Sequence, residues 1–222
     1  MALPTNSNGA GMVALLTIYR YYFGRTNVLI QSNTMYGVKT MVYAGGCELV
    51  GYIQCCLETL MPSIQDVKEV IDNLGKKEKN KLMILLSHIG GIINPDIEAI
   101  AELCKKENII LIEDCAHSFG ATLYGKHSGL FGDAGVYSFY ATKTIPAGEG
   151  GVVITNDNEI GEMIANYSIY DRFEQKLEIG SNIRISEVQA LLTYAVVKEW
   201  KHIVKNKMEM ADKYMEICRQ KK

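Results

Sequence analysis

Short continuous apolar runs alternate along this chain with longer stretches whose apolar residues recur every three or four positions. The runs at 27–31, 48–53, 82–86, 109–112, 134–139 and 152–155 have strand length and are rich in Ile, Leu and Val. Runs such as Ile109-Ile110-Leu111-Ile112 have no polar position to face water, which suits parallel strands covered on both faces. Between them, Ile97, Ile100, Ala101 and Cys104 stand at the spacing of one apolar helix face. Helices are expected over 12–22, after the polar, glycine-rich turn 5–11, and over 36–43, closed by a left-handed glycine at 44–46. Further helices are expected to about Asn73 after a Ser63 cap, from Asn94-Pro95 as N-cap and first helical residue, and from Asn156 or Asp157 to about Tyr167. The Lys-rich 75–81 stretch reads as a solvated turn. Ser186 and Gln189 have the S-x-x-Q spacing of a capping box. One long helix is expected from there to Lys221, with Val188, Leu191, Ala195, Trp200 and Ile203 opening its apolar stripe.

Strands alternating with helices predict an α/β fold, a mainly parallel sheet with helices on both faces, followed by a long C-terminal helix. The domain reading is a large α/β domain over 1–185 and the helix over 186–222.

Composition changes this picture little. A chain of 222 residues buries roughly 70% of its unfolded surface. The net charge of −2 gives no electrostatic case for nucleic acid or for a membrane surface. The six cysteines show no CxxC pairing, which favours reduced, buried thiols of a cytoplasmic protein over a disulfide framework. No signal peptide is legible in the first residues, and the apolar 12–23 stretch is too short to span a bilayer and contains Arg20.

The chemistry concentrates in residues 109–155. Asp114 ends the 109–112 run, at the sheet edge where open α/β sheets bind ligands. Ser138 closes the next strand, and Lys143 lies in the loop before Gly148-Glu149-Gly150-Gly151. Taken singly, a loop lysine is usually solvated and an aspartate after a strand is usually a turn residue. Asp114, Cys115 and His117 match no closed zinc spacing, so no metal is expected. His88, at another strand end, reads better as a satisfied structural histidine than as a ligand-facing one.

In combination these residues carry a specific pattern: Glu113-Asp114, Ala116, His117 and Gly120, then Ser138-Phe139, Lys143 and Gly148 to Gly151. It resembles the signature of the DegT-type sugar aminotransferases, pyridoxal-phosphate (PLP) enzymes of fold type I, over nearly the whole chain from Asn6 to Cys218. The resemblance implies that Lys143 holds the cofactor aldehyde as a Schiff base and then shuttles a proton, and that Asp114 keeps the pyridine nitrogen protonated. It implies Ser138 on the cofactor phosphate, His117 beside the ring near its phenolic oxygen, and the backbone of Asn8, Gly9 and Ala10 around the phosphate at a helix start. Asn8-Gly9-Ala10 stands where the family has Ser-Gly-Thr. Thr34, Met35 and Tyr36 are the candidates for covering the ring. Asn182, in Gly180-Ser181-Asn182-Ile183-Arg184, is implied to reach the neighbouring subunit's cofactor phosphate, hence a homodimer. Family members begin before the phosphate turn and continue into a smaller C-terminal domain, so the resemblance is to the cofactor-binding large domain.

The activity implied is transfer of an amino group from an amino acid, glutamate as the expected donor, to a keto-sugar nucleotide. A sugar dehydratase of the same family would have histidine at position 143, against the lysine present. The alternatives are a non-catalytic PLP-binding or regulatory protein, or a truncated large domain lacking full activity. A nucleotide-binding α/β protein without PLP is disfavoured by the missing GxGxxG.

Overall fold

A computed structural model describes residues 1–220. In chain order the elements are β1 (Ala2–Thr5), α1 (Asn8–Phe23), β2 (Asn27–Gln31), α2 (Tyr36–Ala44), β3 (Glu48–Ile53), α3 (Ile64–Asp72), α4 (Lys76–Lys79) and β4 (Leu82–Ser87). A short 3-10 turn (Ile89–Gly91) follows, then α5 (Ile97–Lys106), β5 (Ile110–Asp114), the two-residue strands β6 (Thr122–Leu123) and β7 (Lys126–His127), β8 (Ala134–Ser138), β9 (Gly151–Ile154), α6 (Asn158–Ser168), α7 (Glu187–Lys198) and α8 (Trp200–Gln220). Seven strands form one sheet in the order β1-β9-β8-β5-β4-β2-β3. The neighbours from β8 to β3 pair parallel, while β9 is antiparallel to both β8 and β1.

The apolar runs work as read, because both sheet faces are covered. Along β4, Met83 and Leu85 enter one core with α1, α2 and α6, whereas Leu82, Ile84 and Leu86 enter the other with α3 and α5. β2 and β5 split the same way, Val28, Ile30 and Ile112 to the first core, Leu29 and Leu111 to the second. A strand buried on both faces has no reason to alternate apolar with polar.

Several expectations need correction. The N-terminal residues 2–5 form an edge strand that the pattern did not suggest; Pro4 disguises it, and an edge tolerates proline. Helix α1 begins at Asn8 rather than 12, because the Ser7 side chain caps it by accepting the Ala10 amide at 3.1 Å. The lysine-rich turn contains the short helix α4. Asn94 does not cap α5: its Oδ1 accepts from the Asp96 amide at 2.8 Å in a side-chain turn, and the helix starts at Ile97. The left-handed glycine expected within 44–46 is present, at Gly46 with φ +73°. The C-terminal helix is two helices, broken at Glu199, and its expected end at Lys221 lies outside the described residues. The capping box is half formed. Ser186 Oγ accepts from the Gln189 amide, but the Gln189 side chain is engaged elsewhere.

All six cysteines are free thiols. Burial pushes the thiol of Cys47 up to about 11 and that of Cys104 up to about 12. No helix among the described residues is long and apolar enough to cross a membrane.

Candidate functional site

Glu113 and Asp114 are neighbours at the end of β5, and the two-residue period of a strand sends their carboxylates to opposite faces. Glu113 follows Leu111 into the α5 side. Its Oε1 accepts the amides of Phe131 and Gly132, each at 2.7 Å. Its Oε2 accepts the Gly129 amide and faces His88 Nε2, both at 2.8 Å. His88 Nδ1 accepts the Asn94 amide at 3.2 Å, so the ring proton sits on Nε2 and donates to Glu113. Cys115 Sγ lies close enough to complete a His88–Glu113–Cys115 trio of potential metal ligands. Its thiol is held well above its usual range, first by burial and then by the charges of Glu113 and Asp114. The nitrogen and oxygen atoms of the trio are already committed to protein partners. This cluster pins the 129–132 connection to the sheet.

Asp114 follows Ile112 to the α1 side and opens into a small cavity lined by Met35, Ser87, Ala116, His117 and Lys143 among others. Its Oδ1 accepts from Asn8 Nδ2 at 3.2 Å and from the Ala116 amide at 3.1 Å, and its Oδ2 from Ser87 Oγ at 3.1 Å. The donors are themselves fixed. Asn8 Nδ2 also donates to Val136 O, the Ser87 amide donates to Gln31 Oε1, and Ser87 Oγ accepts from Thr34 Oγ1 at 2.7 Å. Asp114 is buried, yet it forms no ion pair with any Lys, Arg or His among the described residues. A buried carboxylate ordinarily finds a cation. Held only by neutral donors, Asp114 keeps its negative charge uncompensated beside the cavity.

His117 stands at the cavity rim, its backbone carbonyl accepting from Thr144 Oγ1 at 2.9 Å. Partial burial of the ring, then the Lys143 ammonium, lower its pKa, with Asp114 opposing. The imidazole is thus biased towards its neutral form.

Ser138 lies on the same sheet face as Asp114, two residues beyond Val136, which pairs with Asp114. Its neighbour on β9 is Gly151, where a Cβ would lie 2.6 Å from the Asn8 amide nitrogen. Glycine is needed there for α1 to start so close to the sheet. Ser138 is therefore next to the α1 N-terminus, where anions are favoured. The Ala10 amide is already engaged by Ser7, and Ser138 Oγ accepts from the Tyr140 amide at 3.3 Å.

The structure thus gathers Asp114, His117 and Lys143 around one cavity and sets Asn8 and Ser138 beside it. Gly9, Ala10 and Asn182 line a different, open cleft between α1, α2 and the 181–183 segment. Asn182 is exposed, and its backbone carbonyl accepts from Asn6 Nδ2 at 3.2 Å. Of the ring-cover candidates, Met35 lines the cavity, Thr34 bonds Ser87, and Tyr36 is 79% exposed. Sequence reasoning took Asn8 only for its amide and missed Ser87 altogether. A serine closing an apolar strand run at the ligand edge was the available signal for Ser87. For the Asn8 side chain, 106 residues from Asp114, there was none.

The profile of the DegT/DnrJ/EryC1/StrS aminotransferase family matches residues 1–221. The chain is 32% identical over 183 residues to a GDP-perosamine synthase of Escherichia coli O157:H7, covering 80% of this chain and 47% of that protein. The chain spans about half the length of the curated relatives it matches. Among solved structures, a DegT DnrJ EryC1 StrS aminotransferase from Brucella abortus superposes with a TM-score of 0.84 at 20% identity, over 99% of this chain and 60% of that one. An E. coli GDP-4-keto-6-deoxy-D-mannose-3-dehydratase with bound hydrated PLP superposes with a TM-score of 0.80 at 20% identity, over 97% and 60%. At that identity these likenesses establish the fold, fold type I.

Proposed function

Because the chain belongs to the DegT/DnrJ/EryC1/StrS aminotransferase family, we propose that it binds PLP and serves in moving an amino group from an amino acid, with glutamate as donor, to a keto-sugar nucleotide. The observation that carries this reading is Asp114, a buried acid without a cationic partner, in one cavity with the Lys143 amine. The cofactor, when bound, supplies an aldehyde for amine capture and a ring that accepts electrons from the substrate carbon.

The chain's own residues have separable tasks. Lys143, whose amine lines the Asp114 cavity, would supply the group that captures the aldehyde and a base to carry a proton at the reacting centre. Asp114, held by Asn8, Ala116 and Ser87, would favour a protonated pyridine nitrogen by its charge. Met35 and His117, which line the same cavity, would cover and flank the ring. The α1 N-terminus, with the Asn8 and Gly9 amides and Ser138 beside it, would hold the phosphate. In an assay, glutamate should yield 2-oxoglutarate with a matching keto-sugar nucleotide. Tight PLP binding without transfer to any of a panel of such acceptors would instead favour the non-catalytic, PLP-binding reading.

Asn182 lies outside the Lys143 cavity of its own chain, which suits a role at a neighbour's phosphate in a two-fold dimer. PLP should then shift sedimentation towards the dimer by mass action, and Asn182→Ala should weaken that shift several-fold. A monomer that binds PLP equally well with and without Asn182 would end the composite-site idea.

A further inference from the structure

The loop carrying Lys143, residues 139–150, is closed at its neck by Phe139 N–H to Gly150 O and Ala147 N–H to Phe139 O, both 2.9 Å, and by Ala141 N–H to Gly148 O at 3.0 Å. Its return limb turns through Gly148 at φ +88° and Gly150 at φ +130°. That path points the carbonyls of Ala147 and Glu149 towards α7. Gln189 meets both: its Nε2 donates to Ala147 O and, at 2.5 Å, to Glu149 O. The backbone amide of Gln189 separately donates to Ser186 Oγ at 3.3 Å, so the start of α7 does not depend on this side chain.

The two C-terminal helices touch the same region at other points. Val196, Val197, Trp200 and Ile203 pack on Phe139, Ile145 and Ala147. The Trp200 ring stands edge-on to Phe119, centroids 6.2 Å apart, two residues beyond His117. Lys207 Nζ donates to Lys143 O at 2.9 Å.

The geometry points to Gln189 as a positioning residue for Lys143: its two amide protons clamp the return limb of the loop to α7 and so hold the Lys143 amine at the Asp114 cavity. The importance of that amine rests on the function proposed above; the clamp itself does not. The competing role, suggested by the S-x-x-Q spacing alone, is closure of a capping box on Ser186, which would act on the first turn of α7 and leave the loop untouched.

Hydrogen exchange of the chain without added cofactor separates the two. Gln189→Met, matched in length but with no donors, should raise amide exchange in residues 140–150 by about threefold to tenfold, the factor that losing a net hydrogen bond permits. Exchange in the first turn of α7 should stay as it was. Borohydride trapping of PLP on Lys143 should slow by a similar factor. If Gln189→Met does not fold, Gln189→Asn, one methylene too short to span both carbonyls, takes its place. Unchanged loop exchange, or an increase confined to the first turn of α7, overturns the clamp. If the parent traps no PLP on Lys143 while loop exchange responds as stated, the proposed function fails and the clamp stands.

Discussion

Lys143→Ala is expected to remove the cofactor's covalent attachment and to lower amino-group transfer by at least about 10³-fold, within the range for loss of a group that is both nucleophile and proton carrier. The substitution should leave the fold intact. The loop is set by backbone bonds, including Lys143 N–H to Tyr140 O at 2.9 Å, none of which uses the lysine side chain. The measurement is borohydride reduction of the PLP-loaded chain followed by peptide mapping. In the parent the pyridoxyl group should lie on Lys143, and in Lys143→Ala no specific label should remain. Lys207, whose Nζ already sits against Lys143 O, is the natural competitor. A parent label on Lys207, or on any lysine other than Lys143, removes Lys143 from its role.

Asp114→Asn should leave PLP attached to Lys143 but slow transfer by about 10²-fold or more, the usual scale for removing a preorganised electrostatic partner. The isosteric amide fits the existing network. Its Oδ1 can still accept from Asn8 Nδ2 and the Ala116 amide, and its new Nδ2 can donate to Ser87 Oγ. What is lost is the negative charge, and with it the bias towards a protonated pyridine nitrogen. Thermal stability close to the parent's, together with the slowed half-reaction against glutamate, would separate this loss from a folding defect. Transfer at the parental rate would mean that Asp114 is not the ring-nitrogen partner.

Most of the sheet was readable because doubly buried parallel strands announce themselves as apolar runs. β2 and β3 fall on the expected residues, 27–31 and 48–53. β1 escaped because a four-residue edge strand with a proline carries no such signal. The α7–α8 break escaped because helical spacing continues through Glu199 without Gly or Pro; it is there that the helix pair turns Trp200 onto Phe119. The S-x-x-Q spacing misled for a related reason. Local spacing shows that Gln189 can reach Ser186, not that the Ala147 and Glu149 carbonyls lie closer to hand.

The sequence by itself determined which residues stand at the strand ends and in the loops that follow them, because strand length and turn chemistry are local properties. It therefore set Asp114 and Ser138 at strand ends and Lys143 in the following loop, while their proposed roles came from the family resemblance of the combined pattern. Only the tertiary structure decided what each of them touches. The parity of β5 sends Glu113 to His88 and a ring of amides, and Asp114 to Asn8, Ser87 and the cavity. Met35 faces that cavity while Tyr36 faces water, and Gln189 reaches across about forty residues to the Lys143 loop. That the two carboxylates part follows from the strand period, but which partners meet each of these side chains depends on how far one element is displaced against another, a quantity that neither periodicity nor motif spacing encodes.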